Sequence, residues 1–339
     1  MKNPKVAVII PCKNEVKYIA KCVTSVIESD YPEELLTIYV CDGKSMDGTL
    51  DIVHDLEKNN PNVFLLINKK ETTPYALNLG IQNSVADICI ILGAHSEASK
   101  DYVGKCVEAF QINENIGCAG GIIENVYENK TSEIIGIAMS SKFGVGNAYF
   151  RTGGNDGYVD TVAFGAYKRE VFDKAGYFDT DLTRNQDDEF NFRIGKAGYK
   201  IYLSNSIRSK YYVRGSFSKL FRQYFQYGYW KVVVNVKHKT ITTARQLAPL
   251  FLVCYFIFGL IVSIFSFNVL VLYLAGTASY LLLLLIFSSA QSKNLNYILQ
   301  IAFAFLILHV SYGLGYLSAL VNIFVLRNNR NTNFDSLTR

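Results

Sequence analysis

Between residues 190 and 334 the sequence contains no aspartate or glutamate. Lysine and arginine recur in that stretch up to Arg245, and from there to Arg327 the only formally charged side chain is Lys293. Apolar spans without Asp, Glu or Arg carry no mark of an ion or substrate path, which argues against a transporter. Cysteine is sparse and unpatterned. The 7 cysteines show no Cys-x-x-Cys pair and are odd in number, so neither a disulfide framework nor a zinc knuckle is expected. They read as reduced, buried small hydrophobes of a cytoplasmic domain. The Gly-x-Gly-x-x-Gly turn of dinucleotide sites and the Gly-x-x-x-x-Gly-Lys-Ser/Thr cradle of P-loops are both missing, so a nucleotide held here must be gripped by side chains. No secretory leader is visible, because the first apolar run ends after Pro11, short of a signal peptide's apolar region.

What is present divides the chain. Residues 247–267 and 269–288 each approach the ~20 apolar residues that cross a bilayer, and are expected to form a transmembrane hairpin. A third apolar segment, 297–326, is longer than one upright span requires at ~1.5 Å per residue. It fits one tilted helix, or a helix followed by an interfacial or re-entrant piece starting near His309. The expected organisation is a catalytic domain over 1–215, a basic amphipathic segment over 216–245, a membrane region over 246–326 and a polar tail over 327–339. Arg214, Lys219, Arg222, Lys231, Lys237, Lys239 and Arg245 precede the first span and place the N-terminal domain in the cytoplasm of a multi-pass inner or plasma membrane protein. Arg327, Arg330 and Arg339 favour a cytoplasmic tail as well, which leaves the number of crossings open. The net charge of +5 is concentrated before the first span, among tyrosines and phenylalanines, where an anionic membrane surface is a better partner than nucleic acid.

The N-terminal part is an α/β pattern. Val6-Ala7-Val8-Ile9-Ile10-Pro11 and Leu36-Thr37-Ile38-Tyr39-Val40-Cys41 read as parallel strands joined by a helix, and each runs into a polar loop at the same carboxyl edge. Ligands of open α/β sheets bind at that edge. The loops offer Glu15 and Asp42; Asp42 has acceptors for a base edge or ribose hydroxyls. Asp47-Gly48-Thr49 also suits a plain turn that caps the next helix. A strand over 63–67 precedes Lys69 and Lys70, then Thr72-Thr73-Pro74 opens a helix, a setting for a diphosphate or for a solvated turn. Residues 87–92 read as a buried central strand ending in Gly93-Ala94-His95, where the histidine is either structural or a metal ligand. Farther on, Gln186-Asp187-Asp188-Glu189 opens a helix, and successive residues there point about 100° apart.

Taken in order, Ile-Ile-Pro-Cys-Lys-Asn-Glu, Cys-Asp-Gly-Lys-Ser-Met-Asp-Gly-Thr, Tyr75-Ala76-Leu77-Asn78-Leu79-Gly80-Ile81, Gly93-Ala94-His95 and Gln186-Asp187-Asp188-Glu189-Phe190 resemble the family 2 inverting glycosyltransferases. The likeness is greatest to membrane-attached, succinoglycan-type enzymes of exopolysaccharide assembly. It covers roughly residues 5–239. The resemblance implies the GT-A fold, a mostly parallel central sheet with flanking helices, followed here by C-terminal transmembrane helices. It implies Asp187 as catalytic base, His95 as ligand of a divalent cation (Mn²⁺ or Mg²⁺), and substrate contacts from Pro11, Glu15, Asp42, Lys70, Ala94, Asp188, Gln226 and Trp230.

Two departures stand out. Gly93 replaces the first aspartate of the family's Asp-x-Asp, and His95 replaces the last; imidazole suits Mn²⁺ better than Mg²⁺. Gln226-Tyr227-Gly228-Tyr229-Trp230 partly matches the Gln-x-x-Arg-Trp of processive synthases with tyrosine for arginine, which weakens a case for polymerisation. The expected activity is transfer of a sugar from a nucleotide sugar, UDP-linked first of all, with inversion, to a lipid-linked (polyprenyl diphosphate) glycan in polysaccharide biosynthesis. The alternative is a catalytically degenerate membrane protein that senses nucleotide sugars or assists assembly.

Overall fold

The computed structural model describes residues 3–327, so the expected tail lies outside the described residues beyond Arg327. The chain forms two compact units. One comprises the sequence up to Val126 together with Ala148–Tyr212; the other comprises Tyr127–Asn147 and the sequence from Val213 onward. Residues 127–147, expected within the catalytic block, therefore belong to the second unit.

The first unit is built on a nine-stranded mixed sheet. In chain order its elements begin with β1 (Val6–Cys12), α1 (Ile19–Ile27), β2 (Leu36–Asp42), α2 (Thr49–Asn59), β3 (Val63–Ile67), α3 (Thr73–Asn83), β4 (Ile88–Ile91), β5 (Ser96–Ala98), α4 (Tyr102–Ile112) and β6 (Ile116–Val126). After α5 (Lys130–Met139) and α6 (Lys142–Val145) of the second unit, the chain returns through α7 (Tyr149–Thr152), β7 (Gly157–Val159), β8 (Ala163–Lys168), α8 (Arg169–Ala175), α9 (Gln186–Lys196) and β9 (Lys200–Tyr212). The strand order is β3-β2-β1-β4-β8-β6-β9-β5, with β7 on β9.

The strands β3, β2, β1 and β4 run parallel, as their helix-spaced apolar runs require. The parallel order stops at β4, where β8 enters antiparallel, with Ile90 opposite Ala166. This reversal places the start of β8 beside the carboxyl end of β4. Val6, Val8 and Ile10 of β1 face one core with Ile38 and Val40, and Ile9 faces the other with Leu77 and Ile81, so the strand is buried on both sides. On the second side Phe190 of α9 stacks on Phe172 at 5.4 Å between centroids and meets Phe178 at 4.6 Å. That aromatic cluster seats α9 on the sheet and fixes where its first turn lies.

The second unit is helical: α5 and α6, then α10 (Phe217–His238), α11 (Ala248–Ser263), α12 (Phe267–Ser289) and α13 (Leu295–Leu320), which continues into a π-helical turn, Val321–Val325. Three stretches are long and apolar enough to cross a membrane: Ala244–Ser263, Phe267–Ser289 and Leu295–Val325. The third is one continuous helix. His309, where a re-entrant piece could have begun, sits inside it, donating from Nε2 to the Phe143 carbonyl at 2.8 Å and accepting from the Tyr280 hydroxyl at 2.9 Å. Its burial of 44 %, against 6 % for α12, marks α13 as the inner helix.

Helix α10 lies along α13. A Cβ at Gly228 would sit 2.0 Å from the Tyr312 carbonyl, and one at Gly315 2.0 Å from the Phe225 carbonyl. Contact this close between backbones is what small residues allow in helix pairs where water supplies no driving force. The expected amphipathic character is present, with Lys219, Arg222 and Lys237 exposed, but the opposite face is occupied rather than left for lipid. Gln223, Gln226, Tyr229, Trp230 and even Lys231 are buried, and the Lys231 ammonium reaches the Thr243 hydroxyl at 3.3 Å.

Candidate active site

The carboxyl edge of β1, β2 and β4 gathers the first set of polar groups. β1 and β2 end in register, Cys12 opposite Asp42, so the loops that follow them are neighbours. Asp42 is fully buried. Its Oδ1 accepts from the Ser45 amide at 2.8 Å, and its Oδ2 from the Ser45 hydroxyl at 2.5 Å and the Cys12 thiol at 3.4 Å. A carboxylate has about four acceptor positions, so Asp42 organises its own loop and keeps one direction for a ligand. Burial first, and then the Asp42 charge, push the Cys12 thiol far above its ordinary range.

The two loops are stitched together. Asn14, in the left-handed region at φ 56°, donates its amide to the Ser45 hydroxyl at 2.8 Å and accepts from the Met46 amide at 2.9 Å. Asp47 accepts from the amides of Val16 and Thr49, each at 3.1 Å, so the Asp-Gly-Thr element is the helix start that its pattern suggested. Beside this, Glu71 accepts from Lys13 at 2.6 Å and from Lys44 at 3.0 Å. Those two ammonium partners hold its carboxyl below the usual range. Lys70, expected near a diphosphate, lies 6.0 Å from the centre of the Tyr75 ring.

Glu15 and His95 meet. Glu15 is almost buried, and its Oε1 lies 3.1 Å from His95 Nδ1. A carboxylate only accepts, so Nδ1 carries the proton and the imidazole tautomer is set by Glu15. Tyr211 stands edge-on to the His95 ring at 5.3 Å. Glu15 was expected beside the nucleotide; in the structure it orients the histidine, the arrangement found behind metal-bound imidazoles. Among the described residues no three His, Cys, Asp or Glu side chains gather as a metal site. One imidazole and one carboxylate fit a cation such as Mn²⁺ that takes the rest of its shell from a diphosphate and water, and do not fit a fully protein-held ion.

The structure also gives a reason for Gly93. A Cβ at this position would meet the Phe164 ring at 2.8 Å, so the space of a side chain is taken by the start of β8. Phe164 adopts φ 50°, an outlier for a bulky residue, and its carbonyl accepts from the Tyr102 hydroxyl at 2.6 Å. Strained backbone of this kind concentrates at functional sites. Nothing in the strand pattern of 161–167 signals it. Neither Glu71 nor Tyr211 was legible as a site residue, because each takes its role from partners distant in sequence.

From Phe164 the site continues along β8. Tyr167, deeply buried, and Cys118 of the adjoining β6 are both pushed up, by burial first and with the Asp187 carboxylate contributing. Asp187 is solvent-exposed, and its Oδ1 accepts from the Asp188 amide at 2.9 Å. The third carboxylate of the run has turned away: Glu189 is fully buried and forms a bidentate pair with Arg193, both contacts at 2.8 Å. Pro11 lies at the end of β1 opposite Cys41, and Ala94 is buried beneath the edge. Gln226 and Trp230 are buried in α10 of the helical unit, and the Trp230 indole N–H has no hydrogen-bond partner among the described residues.

Comparison with known proteins bears on the family and the fold. Residues 7–176 match the Glycosyl transferase family 2 domain. The chain is 36% identical over 231 residues to the dolichyl N-acetyl-alpha-D-glucosaminyl phosphate 3-beta-D-2,3-diacetamido-2,3-dideoxy-beta-D-glucuronosyltransferase of Methanococcus voltae, covering 66% of this chain and 71% of that protein. It is 29% identical over 245 residues to the succinoglycan biosynthesis protein ExoA of Rhizobium meliloti (strain 1021), covering 72% and 74% respectively. Among solved structures, the mannosyltransferase PcManGT from Pyrobaculum calidifontis, in complex with GDP-Man and Mn²⁺, matches with a TM-score of 0.64 at 19% identity over 94% of this chain and 88% of its own. GalNAc-T7 with UDP, GalNAc and Mn²⁺ matches with a TM-score of 0.51 at 17% identity over 63% and 44%. At such identities the structural likeness is one of fold, the GT-A-like α/β architecture with a curled mixed sheet. With its domain, its relatives and its fold in agreement, the chain belongs to the family 2 glycosyltransferases.

Proposed function

We propose that this enzyme transfers a sugar from a nucleoside-diphosphate sugar, with inversion, to a lipid-linked glycan at the membrane in which its apolar helices reside. The observation that carries the reading is the Glu15–His95 pair beside the buried Asp42 loop at the carboxyl edge of the sheet; the exposed carboxylate of Asp187, at the start of α9, is read as the base of the same site. In a direct displacement the acceptor hydroxyl attacks the anomeric carbon, its proton passes to a carboxylate, and the sugar–phosphate bond breaks with the electron pair leaving on the diphosphate. Only one base is needed. Asp187 is assigned that role; its exposed carboxylate, with Glu189 committed to Arg193, supports the assignment. Asp42 and its loop receive the nucleotide, and Lys13 and Lys44 stand by as cations at the same loops.

His95, oriented by Glu15, is the residue that would hold a divalent cation on the diphosphate. Such a cation, when bound, neutralises charge developing on the leaving group. The relative from Methanococcus voltae is named for a dolichyl phosphate-linked acceptor, and the basic residues before Ala244–Ser263 suit the anionic cytoplasmic leaflet. Tyr229 at the arginine position of processive synthases supports transfer of single sugars.

The test is release of nucleoside diphosphate by the full chain in detergent with Mn²⁺, polyprenyl-linked acceptor and a panel of donors led by UDP-glucose. Wild-type protein is expected to turn over, Asp187→Asn to lose about 10²- to 10⁴-fold in kcat with folding intact, and Asp188→Asn to lose less. Substantial turnover by Asp187→Asn would refute the assignment of the base.

A further inference from the structure

The sheet unit holds an arginine with a buried guanidinium nitrogen that has no hydrogen-bond partner among the described residues. Arg151 lies in α7, a short helix after the excursion through the second unit. Its guanidinium sits over the Tyr211 ring at 5.0 Å and near the Phe150 ring at 5.6 Å. Its NH1 nitrogen is buried and has no hydrogen-bond partner. The contrast with other arginines of this unit is sharp. Arg169 donates to the carbonyls of Ile81, Ser84 and Ala86, Arg193 is paired with Glu189, and Arg208 with Glu124. Buried N–H groups of a permanently charged fork are nearly always satisfied, because leaving them bare forfeits their hydration without return.

The location supplies the missing partner's chemistry. Tyr211, on which Arg151 stacks, is the residue that stands edge-on to His95 at 5.3 Å. The guanidinium is therefore one aromatic ring away from the histidine assigned to the diphosphate. Contact with two aromatic rings holds the fork without neutralising it, which leaves the unpartnered NH1 for an oxyanion.

We propose that Arg151 is a phosphate-binding residue of this active site, donating from its unpartnered NH1 to a phosphate oxygen of a substrate. The proposal rests on the transferase reading above. Two sources carry that chemistry: the diphosphate of the donor nucleotide and the phosphate of the lipid-linked acceptor.

The experiment measures binding without turnover, on the full chain in detergent with Mn²⁺. Wild type, Arg151→Gln, Arg151→Lys and Arg151→Ala are titrated with UDP and GDP, and separately with polyprenyl phosphate in mixed micelles. If the donor supplies the phosphate, Arg151→Gln weakens nucleoside diphosphate binding at least tenfold and leaves polyprenyl phosphate unchanged. If the acceptor supplies it, the losses are reversed. In either case Arg151→Lys retains part of the affinity, and free guanidinium ion at millimolar concentration restores binding to Arg151→Ala. Affinities within twofold of wild type for both probes overturn the proposal, as does a loss of both that guanidinium does not restore. Wild-type protein that binds neither nucleotide sinks the transferase reading itself, an outcome distinct from unchanged Arg151 variants.

Discussion

The two units close their interiors by different means. In the sheet unit, several buried side chains are matched in specific pairs: Asp42 by Ser45 and Cys12, Glu189 by Arg193, and Asn78 by both backbone groups of Phe178 at 2.8 and 3.0 Å. In the helical unit the tightest contacts are glycine to backbone carbonyl, while large apolar side chains point outward, Phe265 at 82 % exposure and Leu272 at 71 %. Water drives the first kind of interior by expelling apolar surface. Hydrocarbon gives no such drive, so helices there are held by close fit. The tight place at Gly93 in the sheet unit is made by a side chain and can be repaired by a second substitution, whereas those at Gly228 and Gly315 in the helical unit, like Gly121 of the sheet unit at 1.8 Å from the Ile207 carbonyl, are made by backbone and cannot.

The largest effect on folding is expected where backbone meets backbone. At Gly315 a Cβ would lie 2.0 Å from the Phe225 carbonyl, and at Gly228 2.0 Å from that of Tyr312. Gly315→Leu should separate α10 from α13 and lower stability by about 3 kcal/mol or more. Thermal unfolding of the detergent-solubilised chain, followed by size-exclusion chromatography, reads this. No second substitution at Phe225 should rescue it, because the obstacle is main chain. Wild-type stability in Gly315→Leu would break the contrast.

A smaller effect is expected at Gly93, and there it should be repairable. The obstacle to Gly93→Asp is the Phe164 ring at 2.8 Å, the far end of a side chain. Gly93→Asp alone should cost about 1–3 kcal/mol from overpacking. Combined with Phe164→Ala, it should cost less than the two single changes added together by about 1 kcal/mol, a coupling that a double-mutant cycle measures. Strict additivity would show that Phe164 does not occupy the place of the missing carboxylate.

These sites also mark how far the amino-acid pattern could be read. The strands over 6–12, 36–42 and 63–67 were legible because apolar runs of the right length ended in polar loops. The three membrane-compatible helices were legible from their lack of charge. Asp42 and His95 were singled out because strand ends at one sheet edge are where chemistry is delivered, and Asp187 because of the family resemblance. What stayed hidden depends on tertiary placement. Phe164 reads as an ordinary strand residue, and only its positive φ and its ring over Gly93 give it meaning. Arg151 and Tyr211 are 60 residues apart in a region without a decodable pattern, and Glu71 looks like one more charge in a lysine turn. Residues 127–147 left the catalytic block for the helical unit because α5 has an apolar face of Ile134, Ile135 and Met139 whose partners lie far along the chain.

The smallest effect sharpens the comparison through pH. Burial pushes the thiol of Cys89 up to about 11 and those of Cys22 and Cys41 up to about 12, from an ordinary value of 9.0. All three belong to the sheet unit. Below pH 9 the thiols are protonated whether the chain is folded or not, and their contribution to stability is fully present. As pH rises from 9 towards 11–12, the unfolded chain ionises first and the folded state loses ground, by up to about 1.4 kcal/mol per thiol for each pH unit. Denaturant unfolding at pH 8 and pH 10, read by tryptophan-independent far-UV circular dichroism, should show that decline, and a Cys22→Ala/Cys41→Ala/Cys89→Ala variant should show a flatter one. Equal slopes in the two proteins would place the alkaline sensitivity elsewhere. A flattened slope would tie it to an interior that excludes water around reactive groups, which is the property the sheet unit also gives to Asp42 and Glu15 at its carboxyl edge.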